Sequence, residues 1–270
     1  RSLQELIEVY MGDLVGEKTY KKFGVEFPLL IKFIDAEDDL SIQVHPNDAL
    51  ARQRHNAYGK TEMWYILDAQ PGAQLISGFK KATSPQEYME YLSAGKLPEI
   101  LNYEAIQQGD VFFIPAGRVH AIGKGTLLAE IQQTSDVTYR IYDYDRRDAQ
   151  GNPRELHTDL ALDAIDYGTE ADYKTHYESH PNGTATVVES PYFTTNLMEL
   201  DREITKEYHK LDSFVIYICT EGQATLSYHD SQWEISLKKG ETVLIPHEIE
   251  RIGLTPDGPA RIIETYIEAK

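Results

Sequence analysis

The chain has a single cysteine among its 270 residues, which excludes an intrachain disulfide. Cys219 ends the apolar run Ser213–Cys219, so we expect it to be a small buried core residue in a protein of a reducing compartment. Long apolar runs are also missing, because no stretch approaches the roughly 20 residues that a membrane helix requires. With no signal-peptide pattern at the start, a cytoplasmic location is the expectation.

Positively charged residues are also few in this sequence. The sequence has 26 lysines and arginines against 44 aspartates and glutamates, for a net charge of −18. Such a surface repels nucleic acid and anionic membranes, so neither is an expected partner. A small anionic substrate needs only a local basic cluster, and Lys60, Arg140, Arg146 and Arg147 can form one.

Short strand-like segments make up most of the chain and predict an all-β fold of the sandwich or jelly-roll type, with helices as inserts. The expected strands are Phe27–Ile34, Ser41–His45, Met63–Leu67, Gln74–Phe79, Val111–Ile114, Leu127–Gln132 and Val137–Tyr142. Ser2 and Glu5 form a capping box that predicts an N-terminal helix. Further short helices are predicted at residues 85 to 92 and 158 to 166.

Four polar side chains suggest a metal site inside the barrel. Gln43 and His45 are two residues apart on a predicted strand, so both side chains leave the same face. Glu62 belongs to a second strand-like run, and His120 follows a turn marked by proline and glycine. Two imidazoles, a carboxylate and an amide suit Zn²⁺, although other divalent transition ions also fit. Taken alone, each histidine is more simply a hydrogen-bonded structural residue.

The motifs around these residues resemble a known family. Gly109 to His120 has the Gly-x5-Pro-x-Gly-x2-His spacing of the second cupin motif, and His45-Pro-Asn-Asp followed by Glu62 resembles the first. Together with Gly59–Tyr65 and Glu130–Arg140, these segments closely resemble the type I mannose-6-phosphate isomerases in their short bacterial form. The resemblance implies one zinc ion per chain, bound by Gln43, His45, Glu62 and His120.

The resemblance also implies two cupin barrels, only the first of which holds metal. Gly240–Pro246 repeats the spacing of Gly109–Pro115, but the metal positions are lost after it, and His247 is expected to be a turn or surface residue. We therefore predict a catalytic barrel with the N-terminal helix at residues 1–150, a linker at 151–185 and a degenerate barrel at 186–270. Since family members carry a strand segment before such a helix, the sequence is expected to lack its natural beginning.

Three residues are candidates for catalysis. Arg140 is the family's catalytic arginine, and because a guanidinium stays protonated it would stabilise an enediolate or bind phosphate. An internal salt bridge with Asp136 or Asp143 is the alternative for this arginine. Lys60 and Glu130 are rival bases, and the sequence does not decide between them.

The resemblance makes the expected activity a reversible conversion of mannose 6-phosphate into fructose 6-phosphate through an enediol. The substrate's phosphate would meet Ser41, Lys60, Arg140 and Arg146, although Arg146 could equally belong to a solvated surface patch. A metal-dependent cupin dioxygenase and a noncatalytic sugar-binding cupin are the alternatives. Gln43 in place of another histidine disfavours the first of them. We expect a monomer or a weak homodimer.

Overall fold

The computed structural model describes residues 1–268. Three short helices begin the chain, namely α1 (Leu3–Tyr10), α2 (Gly12–Val15) and α3 (Glu17–Phe23). The predicted capping box is confirmed, because the Ser2 hydroxyl accepts the Glu5 amide and the Glu5 carboxylate accepts the Ser2 amide. These contacts satisfy amides that the first turn of a helix leaves without partners.

The segment Leu29–Thr175 forms one compact unit, which is mainly β. Its strands are β1 (Leu29–Asp35), β2 (Ile42–Val44), β3 (Glu62–Ala69), β4 (Gln74–Phe79), β5 (Leu101–Ala105), β6 (Val111–Ile114), β7 (His120–Ile122), β8 (Thr126–Gln133), β9 (Tyr139–Tyr142) and β10 (Lys174–Thr175). Its helices are α4 (Asp48–His55), α5 (Pro85–Ser93) and α6 (Thr158–Leu162), with a 3-10 helix at Leu97–Ile100.

Two antiparallel sheets build this unit, in the strand orders β1-β8-β3-β6-β10 and β5-β4-β7-β2-β9. A core cluster between them includes Trp64 and Leu128 from one sheet and Leu75 and Ile122 from the other. A second cluster joins the opposite face of the β2 sheet to helices α5 and α6. The predicted bounds of β4 and β6 are confirmed, whereas α6 ends four residues earlier than expected and α4 was missed.

The remaining strands belong to a second unit. They are β11 (Thr184–Glu189), β12 (Thr194–Leu200), β13 (Ile204–Glu207), β14 (Val215–Glu221), β15 (Gln223–Tyr228), β16 (Trp233–Lys238), β17 (Thr242–Ile245), β18 (Arg251–Pro256) and β19 (Ala260–Tyr266). They form sheets in the orders β11-β12-β19-β14-β17 and β13-β18-β15-β16. The expected all-β architecture with short helical inserts is confirmed, and Cys219 is buried and unpaired as predicted.

The N-terminal helices group with this second unit, which combines Arg1–Pro28 with the residues from His176 onward. The two carboxylate oxygens of Asp212 accept the backbone amides of Glu17 and Lys18 at 2.6 and 3.1 Å and so cap α3. The grouping differs from the predicted division at residues 150 and 185, which placed the first helix with the metal-binding barrel. No helix within residues 1–268 is long and apolar enough to cross a membrane.

The two units repeat one arrangement of strands. The order β1-β8-β3-β6 in the first matches β12-β19-β14-β17 in the second, and the register shifts on β3 and β14 fall at equivalent places. Glu62 pairs with Ile114 just before Pro115, and Val215 pairs with Ile245 just before Pro246. The second unit therefore has a buried valine where the first has a carboxylate.

Candidate metal and catalytic site

Three strands bring the predicted metal ligands together. Ile42 and Val44 pack into the cluster with helices α5 and α6, so Gln43 and His45 project into the interior between the sheets. Gln43 lies opposite His120, the first residue of β7. Glu62 is the first residue of β3 in the facing sheet. His45, Glu62 and His120 are each at most 1% exposed.

The donor atoms of these side chains surround a small common volume. His45 Nε2 is 3.5 Å from Glu62 Oε2, and His120 Nε2 is 3.3 Å from Glu62 Oε1. Ligand atoms of the three residues all lie within 4.8 Å of one another. His45 Nε2 and both Glu62 oxygens are buried and have no hydrogen-bond partner in the described part of the chain, residues 1–268. Buried polar atoms of this kind are costly unless a further partner satisfies them, and a cation would satisfy all of them.

Hydrogen bonds to the backbone orient both imidazoles. His45 Nδ1 lies 3.0 Å from the Val137 carbonyl and His120 Nδ1 lies 2.8 Å from the Arg118 carbonyl. Because a carbonyl only accepts, each Nδ1 carries the proton and each Nε2 presents a lone pair to the site. Such bonds to the distal nitrogen are typical of histidines that ligate metals.

Gln43 completes the donor set. Its amide Nε2 is 3.4 Å from His120 Nε2. Rotating the amide by half a turn places Oε1 at this position, because the two amide atoms have nearly the same shape. Two imidazoles, a carboxylate and an amide oxygen then fit a divalent transition metal ion.

The electrostatics of this cluster also favour a cation. Burial lowers the pKa of His45 to about 4, although Glu62 acts in the opposite direction. Burial alone would raise the pKa of Glu62, but the neighbouring His45 and His120 hold it well below its ordinary value. A neutral His45 imidazole and an ionised Glu62 carboxylate are the protonation states in which these two groups bind metal.

Glu130, one of the candidate bases, is buried close to this cluster on β8. Its Oε1 accepts the Trp64 indole N–H at 3.1 Å, and its Oε2 lies 3.7 Å from the Lys32 ammonium. Burial, followed by the nearby charge of Glu62, raises the pKa of Glu130 to about 8. A carboxyl group with such a pKa can exchange a proton near neutral pH. The buried Lys60 ammonium acts electrostatically on both Glu130 and His45.

Sequence reasoning missed Trp64, although strand alternation carried the signal. Trp64 is two residues after Glu62, so both point to the same face of β3. It lies opposite Glu130 in the register of the sheet and holds that carboxylate through its indole N–H. The side chain is fully buried, and its ring centroid is 5.5 Å from that of His120.

We expect Trp64→Phe to lower the free energy of unfolding by about 2 kcal/mol, because the variant leaves a cavity and a buried carboxylate oxygen without its donor. Urea denaturation measures this change. Combining Trp64→Phe with Glu130→Gln should cost less than the sum of the two single losses, since both remove the same bond. Strict additivity would contradict the structural role of the Trp64–Glu130 contact.

Arg140 lies on β9 and points away from the apolar cluster that holds Tyr139 and Ile141. Its Nη1 donates to the Glu155 carbonyl at 3.0 Å, and its Nε is buried without a partner. Among residues 1–268, Arg140 forms no ion pair. Asp143, one of the two salt-bridge partners named as the alternative for this arginine, instead binds Arg146 and Arg154. The free Nε–H is a donor for an anionic group.

The remaining basic residues are more fully engaged. Arg146 donates through all three nitrogens, to the Asp143 backbone carbonyl and carboxylate and to the Asp39 carbonyl. Arg154, which the sequence analysis did not single out, clamps the same Asp143 carboxylate with two hydrogen bonds of 3.0 and 2.7 Å. Arg147 donates to the Gly151 carbonyl within its own loop. Ser41 is buried immediately before β2.

The chain consists of two units with jelly-roll strand order, and the first unit encloses a histidine–carboxylate cluster. These features define a bicupin, a protein with two cupin domains. Comparison with known proteins agrees. The family model for the mannose-6-phosphate isomerase cupin domain matches residues 183–267, and the model for the phosphomannose isomerase type I catalytic domain matches residues 1–73.

The chain is 37% identical over 247 residues to the mannose-6-phosphate isomerase ManA of Bacillus subtilis, a match that covers 90% of this chain and 76% of the relative. It is 35% identical over 241 residues to the Streptococcus mutans mannose-6-phosphate isomerase, with coverages of 89% and 74%. The chain therefore belongs to the mannose-6-phosphate isomerase family.

Solved structures show the same fold. The mannose 6-phosphate isomerase from Bacillus subtilis superposes with a TM-score of 0.83 at 34% identity, covering 97% of this chain and 82% of the other. A variant of phosphomannose isomerase from Salmonella typhimurium superposes with a TM-score of 0.78 at 18% identity, covering 99% and 85%. The second likeness concerns the fold alone.

Proposed function

We propose that this protein interconverts mannose 6-phosphate and fructose 6-phosphate as a zinc-dependent aldose–ketose isomerase. The observation that carries the proposal is the buried cluster of His45 Nε2 and the two Glu62 oxygens, which have no hydrogen bond and lie beside His120. Lys60, Glu130 and Arg140 are candidate groups for the proton transfer and for charge stabilisation.

Gln43, His45, Glu62 and His120 would hold the ion. Their nitrogen and oxygen donors suit Zn²⁺, and one ion per chain is proposed. When bound, a divalent cation would polarise the sugar oxygens as a Lewis acid. The buried surroundings of these four residues keep their charges effective, since water screens little there.

The isomerisation requires a base that takes the proton from C2 and returns it to C1 while the hydroxyl proton moves from the C2 oxygen to the C1 oxygen. The substrate passes through an enediol. Glu130 has a pKa suited to both halves of this transfer, and Lys60 is a buried amine near the same charges. Arg140 stays protonated and would stabilise negative charge through its free Nε–H.

The phosphate group would be bound by Ser41, Lys60 and Arg140. Arg146 uses one N–H of each guanidinium nitrogen on Asp143 or Asp39, which leaves the second N–H of Nη1 and of Nη2 for a phosphate oxygen. Because the chain as a whole is strongly negative, a sugar phosphate would be attracted to this local set of hydrogen-bond donors and not to the rest of the surface.

Metal analysis and a coupled assay on the same sample test the proposal. We expect about one zinc per chain and formation of fructose 6-phosphate from mannose 6-phosphate, both lost on treatment with a chelator and restored by Zn²⁺. Full turnover in thoroughly metal-free protein would contradict the metal dependence. Stoichiometric zinc without any turnover would favour a noncatalytic sugar-binding protein.

Deuterium exchange at C2 of mannose 6-phosphate separates the candidate bases. If Lys60 carries the proton, Lys60→Met should abolish exchange with the metal still bound, whereas Glu130→Gln should retain measurable exchange. If Glu130 is the base, the pattern reverses, because a glutamine has no basic group of useful pKa. NMR of the recovered sugar gives the result, and exchange surviving in both variants would exclude both residues.

A further inference from the structure

Arg140 lies on an edge strand. In the order β5-β4-β7-β2-β9, strand β9 stands at the end of the sheet, and its one partner strand within residues 1–268 is β2. An edge strand leaves backbone N–H and C=O groups without sheet partners, so its position depends on what else binds them. Both backbone hydrogen-bonding groups of Arg140, its N–H and its C=O, are bound by one other residue, His157.

His157 binds the backbone of Arg140 through two hydrogen bonds. The Arg140 amide donates to His157 Nδ1 at 3.1 Å, and the His157 amide donates to the Arg140 carbonyl at 2.7 Å. The guanidinium Nη1 of the same arginine donates to the carbonyl of Glu155 at 3.0 Å. Three contacts from one short segment thus fix both the backbone and the head group of Arg140.

We propose that His157 is a positioning residue for Arg140 in the isomerase reaction. The inference rests on the proposed function, in which the free Nε–H of Arg140 stabilises negative charge. With Nη1 bound to Glu155 and the backbone bound to His157, the guanidinium keeps its Nε–H buried and available to a further acceptor. Groups held in place before the reaction stabilise a transition state more than mobile ones do.

The position of His157 is itself well supported. Helix α6 begins at the next residue, Thr158, and its Ala161 is buried in the same apolar cluster as Tyr139 and Ile141 of β9. The first residues of the helix therefore cannot move independently of the strand. Because Nδ1 accepts a hydrogen bond, the proton of the neutral imidazole is on Nε2, which lies 3.7 Å from Glu155 Oε2.

The test compares His157→Ala with His157→Asn. Alanine removes the acceptor for the Arg140 amide, whereas the asparagine Oδ1 can accept in nearly the same place as Nδ1. We expect His157→Ala to lower kcat about tenfold with zinc content unchanged, because small displacements of a catalytic group cost one to two orders of magnitude in rate. His157→Asn should stay within about threefold of the unsubstituted enzyme, and His180→Ala is the matched control at an exposed histidine.

Two further measurements separate positioning from a general structural effect. In an Arg140→Lys background, His157→Ala should cause little additional loss of kcat, since the group that it positions is already gone. Amide hydrogen exchange at Arg140 should be faster in His157→Ala and slow in His157→Asn. Equal kcat values for the alanine and asparagine variants, or losses that multiply in the Arg140→Lys background, would overturn the proposal.

The exchange measurement needs no turnover. An unsubstituted protein without isomerase activity would contradict the proposed function. The amide exchange rates at Arg140 would still show whether His157 holds the Arg140 backbone. Unchanged exchange in His157→Ala would show that the contact does not restrain the strand, whatever the activity.

Discussion

Replacing His120 with alanine should remove both the bound metal and the isomerase activity. His120 is fully buried and would supply one of four donors. Within residues 1–268, the group of possible metal ligands around it contains one other histidine, His45, which is itself a proposed ligand. We expect metal content to fall to background. Turnover should fall by well over ~100-fold, which is the loss that removing a hydrogen-bond partner of a metal ligand typically causes. Metal analysis and the coupled assay on one preparation measure both.

A matched control is available at His247, which follows Pro246 in the second unit, as the turn after Pro115 leads to His120 in the first. Its Nε2 lies 3.7 Å from Asp212 Oδ1, and His247 is not a member of the cluster formed by His45, Glu62 and His120. His247→Ala should therefore keep its zinc and its turnover. Zinc bound with unchanged affinity in His120→Ala would refute the ligand assignment.

Arg140→Lys should fold and bind zinc yet lose about a hundredfold or more in turnover, which corresponds to roughly 3 kcal/mol of transition-state stabilisation. An ammonium has no counterpart of the buried Nε–H of Arg140, and it cannot keep the Glu155 contact at the same time. Steady-state kinetics with zinc-loaded protein provide the measurement.

The control for this variant is Arg147→Lys, since Arg147 donates to the Gly151 carbonyl in its own loop and forms no ion pair within the described residues. That exchange of guanidinium for ammonium should leave turnover unchanged. Near-normal turnover in Arg140→Lys would reduce Arg140 to a structural residue bound to Glu155 and His157.

Strand alternation made much of the site predictable. Gln43 and His45 share a face because side chains on a strand alternate. The structure, in which Ile42 and Val44 pack against helices α5 and α6, was needed to show that this polar face is the interior one. The turn before His120 was equally readable, since Pro115 and Gly117 mark the end of β6. These features depend on neighbours within a few residues.

Contacts between distant segments were not predictable in the same way. Trp64 and Glu130 are 66 positions apart and meet only because β3 and β8 pair in one particular register. The two candidate salt-bridge partners of Arg140 could not be eliminated from sequence, because Asp143 binds Arg146 and Arg154 in the folded chain. The grouping of the first helices with the second unit depends on Asp212, 195 positions from Glu17.

The sequence by itself determined the β architecture, the four metal-ligand candidates and the resemblance to one isomerase family, because alternation, turns and motif spacing act over short distances along the chain. Only the tertiary structure decided that Glu130 is held by Trp64, that Arg140 keeps a free Nε–H and that His157 holds it at the sheet edge. Those contacts follow from strand register and from loops closing over many residues, which no local pattern encodes.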